Sequence, residues 1–169
     1  MFSRIREKKG CVVLALGGLA LAGCGPTKKV ALEIAFPSAE TFLVTQAIRV
    51  RVFVPNQTST CAALVNDAIG GRMPMEQLVY DINDLTPCSV RSGAKIPDPG
   101  GGRKLFLVEG LDMMRNTTLL IGCSEGEIHG KSTAIRVRLY PTQNYDRAYR
   151  QNPPQPEETP ETRCMRRGV

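Results

Sequence analysis

The 169-residue chain carries 22 Lys and Arg against 16 Asp and Glu, with one His, no Trp, four Tyr and five Phe. Such sparse histidine and aromatic content argues against imidazole-based general-base chemistry and against base-stacking platforms for nucleic acid. The formal net charge of +6 belongs partly to the first 23 residues; the eighteen basic and fifteen acidic residues beyond them leave +3, too mild a balance to indicate nucleic acid.

Positions 2–10 hold Arg4, Arg6, Lys8 and Lys9 against one acid, Glu7, and Cys11 to Ala22 is a run of small and apolar residues. That run falls short of the roughly 20 residues a membrane-spanning helix needs, so it reads as an export signal. Its end, Leu21-Ala22-Gly23-Cys24, resembles the lipobox of bacterial lipoproteins at all four positions. The resemblance implies a diacylglyceryl thioether on Cys24, cleavage between Gly23 and Cys24, and acylation of the new amino terminus. One acyl chain holds a bilayer only marginally, whereas two or three hold firmly. In such families an Asp after the cysteine retains the protein on the inner membrane. Gly25 stands there instead, which implies an outer-membrane destination in a Gram-negative host. The organisation that follows is a signal over 1–23, a tether over 24–29, a folded unit over 30–142 and a polar tail over 143–169.

Strand A carries Leu32, Ile34 and Phe36 on one face. Strand B, Ala47 to Val54, alternates Ile48, Val50, Val52 and Val54 with Arg49 and Arg51, the period-2 pattern of a half-buried strand. From Thr60 to Gly71 the period changes. Cys61, Leu64, Val65, Ala68 and Ile69 recur at helical spacing, and Gly70-Gly71 can stop a two-turn helix. Leu78, Tyr80 and Ile82 mark strand C, and strand D falls within 88–96. Asp98-Pro99-Gly100-Gly101-Gly102 is a turn, and strands E (Lys104 to Glu109), F (Thr117 to Cys123) and G (Thr133 to Tyr140) follow. Strand G repeats the pattern of strand B, and its exposed arginines would protect an edge from pairing with another chain. Gln151 to Arg163 is rich in Pro, Glu, Gln and Thr, and is expected to be disordered or extended, fastened only through Cys164.

Six or seven short strands separated by turns predict an all-β sandwich with a short helical insertion after strand B. The segment from Leu105 to Ile121, with its Gly110-Leu111 pair, resembles the E–F crossover of fibronectin type III and related immunoglobulin-like domains, with Thr118 near the position of the usual corner Tyr. Beyond the anchor, Cys61, Cys88, Cys123 and Cys164 read as two disulfides in an exported protein. Their residue types and spacing leave three connectivities open. The immunoglobulin-like order implies Cys61–Cys123 at the end holding the B–C and F–G loops, and Cys88–Cys164 at the other. It also implies that the start of strand A stands on the membrane, with Lys28 and Lys29 at the headgroups. The A–B and E–F loops would then point away, making Asp112, Met113, Met114 and Arg115 the candidate binding residues. A partly buried corner is the alternative for these four, since methionines fill irregular gaps.

Gly122-Cys123-Ser124-Glu125-Gly126 matches the Gly-x-Ser-x-Gly pattern, with His129 nearby, but a nucleophile elbow needs a strand-to-helix turn and a distant His. Asp81, Asn83 and Asp84 offer oxygen ligands without the Gly and Glu of a calcium loop. Gly100 to Lys104 lacks the ending of a phosphate loop, and Asn56 and Asn116 are formal glycosylation sequons. Tyr145, Arg147, Tyr149 and Arg150 read as solvated residues after the last strand. The expected activity is therefore non-catalytic, without metal, cofactor or nucleic acid. It is that of a lipid-anchored envelope module meeting an envelope protein or glycan, or an accessory subunit of a polysaccharide or secretion complex. A serine hydrolase using Ser124 and His129 stands as a distant third.

Overall fold

The computed structural model describes residues 29–129 and 134–168, so the signal-like segment, Cys24 and Lys28 lie outside the described residues. The fold is the expected sandwich of two sheets. One sheet has three strands in the order β4 (Lys95–Pro97), β1 (Lys29–Ala35), β7 (Ala134–Arg138). The other has five, in the order β3 (Gln77–Leu85), β2 (Ala47–Val54), β5 (Gly102–Leu111), β6 (Thr118–Ile128), β8 (Tyr140–Pro141).

Strand β2 shows why the layers form. Ile48, Val50 and Val52 are completely buried between the sheets, where they meet Phe106, Val108 and Leu120 of the same sheet and Leu32, Ile135 and Val137 of the other. A strand whose alternate residues are all apolar must cover that face, and the small sheet supplies the cover. The opposite face carries Phe53, Leu105, Leu107 and Ile121, and α2 (Cys61–Ile69) closes over them with Leu64. This is the helical insertion the changed periodicity predicts. Thr60 caps it, its hydroxyl accepting from the Ala63 amide.

Both disulfides have the expected partners, Cys61–Cys123 and Cys88–Cys164. Their setting is different from the one the resemblance implies. Strand β6 runs on to Ile128, so Cys123 sits within the strand and its bond pins α2 to the sheet face. Cys88 and Cys164 both lie on helices, α3 (Pro87–Arg91) and α5 (Pro160–Arg166). The pair Gly110-Leu111 does end β5, yet β5 and β6 pair directly. Segment 105–121 is thus a hairpin within one sheet, rather than a crossover between sheets.

Three further expectations change. The first part of the range assigned to strand D, residues 88–91, is α3, because Thr86 and Ser89 form a reciprocal cap and Pro87 occupies the first turn; only Lys95–Pro97 is strand. Strand G is two strands: β7 pairs in parallel with β1, then the chain passes to the other sheet, where Tyr140 pairs with Ile121. The C-terminal region is neither disordered nor merely extended. It forms α4 (Tyr145–Gln151) and α5, and Arg163 is buried with its guanidinium donating to the Leu43 carbonyl and, at 2.7 Å, to Gln46 Oε1. Leu43 belongs to α1 (Ala39–Val44), a helix the strand pattern hides, so a cation from α5 satisfies the C-terminal end of α1.

Candidate interaction surface at the β5–β6 turn

The register fixes which end of the sandwich each loop occupies. Gly102 pairs with Ile128, and short connections link these residues to β4 and β7 beside the start of β1. Leu111 pairs with both Ala47 and Thr118, placing the β5–β6 turn at the opposite end. Asp112, Met113, Met114 and Arg115 are therefore together, at the end remote from Lys29.

The turn is held rigidly. Asp112 Oδ1 accepts from the Asn116 and Thr117 amides at 3.1 and 3.2 Å, and the Arg115 amide donates to the Asp112 carbonyl at 3.1 Å. Arg115 adopts φ 58°, and its Nη1 donates to the Asn83 carbonyl at 3.0 Å, tying the turn to β3. Met113 and Met114 are left 77% and 75% exposed, so the alternative of a partly buried corner does not describe them.

Beside this turn lies a groove of about 760 Å³, lined by Asn116, Thr117, Thr118, Thr142, Asn144 and Arg147 among others. Thr142 Oγ1 donates to the Thr118 carbonyl at 2.7 Å, and the Asn144 side chain reaches the same oxygen at 3.4 Å, which docks the β8–α4 segment against β6. Period-2 reasoning stops at Tyr140 and misses these residues. The Thr142–Asn144 turn composition was the available signal, but nothing in it says which strand the turn meets.

The remaining candidates separate. Gly122 to Gly126 lies inside β6, not at a strand-to-helix turn. Ser124 is opposite Phe106, and Ile128 is already about 14 Å further along the strand. His129 is exposed and lies 3.5 Å from Glu127. The two glycines have a packing reason: a Cβ on Gly122 would stand 2.2 Å from the Arg138 carbonyl oxygen, and one on Gly126 would stand 2.3 Å from Ile135 Cδ1. They mark where β7 and its continuation cross over β6.

Asp81 is engaged by Arg49, whose Nε donates at 2.8 Å; that bond draws the carboxyl below its ordinary range, against the opposing effect of partial burial. Arg51 pairs with Glu109 at 2.8 Å, and Thr118 Oγ1 donates to the same carboxylate at 3.1 Å. The arginines of β2 thus face outward as expected but are spent on acids of β3 and β5. Among the described residues no three His, Cys, Asp or Glu side chains are grouped to hold a metal ion. Lys104 Nζ donates to the Gly101 carbonyl, and Asn56 Oδ1 accepts from the Thr58 amide at 2.9 Å, so both loops satisfy their own polar groups. Tyr145 packs against the core, and burial raises its phenol; Arg147, Tyr149 and Arg150 are exposed.

No family model, curated protein or solved structure matches this chain. Its function has to be argued from its own residues.

Proposed function

We propose that the protein is a lipid-anchored module of the cell envelope. It binds or braces another envelope component, and catalyses nothing itself. The observation that carries this reading is Leu21-Ala22-Gly23-Cys24, standing five residues before Lys29. Two disulfides support it, since such bonds persist in oxidising compartments outside the cytoplasm. The Asp112–Arg115 turn is the proposed contact: it is rigid, carries two exposed methionines, and stands at the end farthest from the tether.

Intact mass spectrometry of protein extracted from membranes is expected to show a chain beginning at Cys24 with added diacylglyceryl and acyl mass. Cys24→Ala is expected to abolish both additions and release the protein from the membrane fraction. A chain beginning elsewhere, or without fatty chains, refutes the anchor. For the contact, co-purification from solubilised envelopes is compared between wild type and a Met113→Ala, Met114→Ala variant. Loss of a stoichiometric partner supports the turn, and unchanged recovery of that partner removes it.

A further inference from the structure

The two sheets of this sandwich are covered unequally. Helix α2 lies over the outer face of the larger sheet, whereas the outward residues of the smaller one are exposed, Ala31 alone being half-buried. Residues of the small sheet alternate strictly. Val30, Leu32, Ile96, Ile135 and Val137 are buried against the core. By register, Lys29, Ala31, Glu33 and Ala35 of β1 share the outward face with Lys95 and Pro97 of β4 and with Ala134, Arg136 and Arg138 of β7. Four cations thus stand against one acid, and the other side chains are too small to project beyond them. Arg136 pairs with Glu33 at 2.9 Å, while Lys29, Lys95 and Arg138 have no ion-pair partner among the described residues.

We propose that this flat basic face lies on the anionic headgroups of the bilayer that holds the anchor, so that the domain reclines on its small sheet. The occupant follows from charge and reach. The cations match a negatively charged surface. The central strand of the face begins five residues after Cys24, which keeps Lys29 within about 17 Å of the lipidated sulfur. This second point rests on the anchor reading; the charge pattern does not. The arrangement refines the upright orientation expected from the loop order. Arg138 lies at the far end of β1, about 20 Å along the strand from Lys29. In an upright molecule it would be more than a Debye length of about 8 Å from the headgroups and would feel little of them. Reclining brings it into contact, with α2 facing away from the membrane and the Asp112–Arg115 turn at the side.

The test uses the protein purified in detergent, weighed intact to score acylation, and reconstituted on vesicles of phosphatidylcholine with or without phosphatidylglycerol. A membrane-impermeant amine reagent then reports the exposure of Lys95. Phosphatidylglycerol is expected to slow Lys95 labelling severalfold, and raised salt to restore it. Arg138→Glu is expected to reverse the slowing, since each basic side chain at an anionic surface strengthens contact about fivefold. Arg150→Glu, an equal change of charge on exposed α4, is expected to leave it intact. Equal labelling on both vesicles, or equal effects of the two variants, overturns the proposal. So does an unaltered response in Arg138→Glu, which would mean an upright molecule. Protection by a soluble acidic polysaccharide without protection by vesicles would make the face a glycan site and overturn it as well. Missing acyl mass refutes only the anchor. Unacylated protein that co-sediments with phosphatidylglycerol vesicles and shows the same Lys95 pattern still supports the face, and failure to co-sediment refutes it.

Discussion

Gly122 and Gly126 show how a motif can be spelled by packing. Their spacing around Ser124 imitates a nucleophile elbow, yet each occupies a place where a methyl group has no room. A Cβ at Gly122 would collide with a backbone carbonyl, which cannot move without disturbing the passage of the chain between sheets. At Gly126 the obstacle is the tip of the Ile135 side chain, which can adopt another rotamer. Gly122→Ala is therefore expected to cost about 3 kcal/mol or more, and Gly126→Ala about 1–2 kcal/mol, in urea unfolding. Ser124→Ala should stay within about 1 kcal/mol of wild type. Equal costs for the two glycine variants would contradict the distinction between backbone and side-chain obstacles. Asp81 supplies a second residue-level test. Its carboxyl titrates below its unfolded value, so its contribution to stability is full above about pH 4 and disappears as pH falls through the native pKa. Arg49→Gln should lower stability near neutrality and make the acid limb of the stability profile shallower. Parallel profiles for the two proteins would show that the pair contributes nothing.

Three of the helices that alternation does not reveal, α1, α3 and α5, are short and made by caps, whereas α4 has no side-chain cap. Ser38 with Thr41, Thr86 with Ser89, and Thr159 with Thr162 each form a reciprocal side-chain and backbone cap, and each precedes a helix of five to seven residues. Such helices are marginal alone and persist here because something holds their far ends. For α1 and α5 the holding group is Arg163, which the sequence presents as one more polar residue in a Pro-rich tail. Arg163→Leu is expected to destabilise the fold by about 2 kcal/mol, the scale of hydrogen bonds made by a charged donor. It should also quicken amide exchange in α1 and α5 before the sheets are affected. Uniform exchange across both sheets and helices would refute that local role. The double identity of strand G has a similar origin. Alternation continues through Leu139 without a break, because a strand that changes sheets keeps its period while changing its hydrogen-bond partner.

Two cross-links and two covered faces define the molecule as a whole. Separations of 62 and 76 residues imply about 4 kcal/mol of stabilisation from each disulfide in the chain-entropy model. One bond clamps α2 to the large sheet, and the other clamps α5 to α3. The face of the small sheet is left basic and flat close to where the anchor would enter, and the methionine turn projects at the opposite end. The basic face and the rigid exposed turn are the two separate surfaces through which the proposed module would meet the bilayer and its partner.

The inside-outside alternation of β2 and β7, the helix over Cys61–Ile69 and the export-like amino terminus could all be read from residue order, because each depends on neighbours within a few positions. The two-sheet class followed, since alternating strands have only a few ways to bury one face. The pairing of cysteines was reached through an assumed strand order, and its partners hold although the hairpin of β5 and β6 departs from that order. Long-range contact alone settled the rest: which sheet receives each half of strand G, which carbonyl Arg163 caps, and why Gly122 can carry no side chain. These depend on groups far apart along the chain, and local pattern carries no record of where a distant backbone will pass.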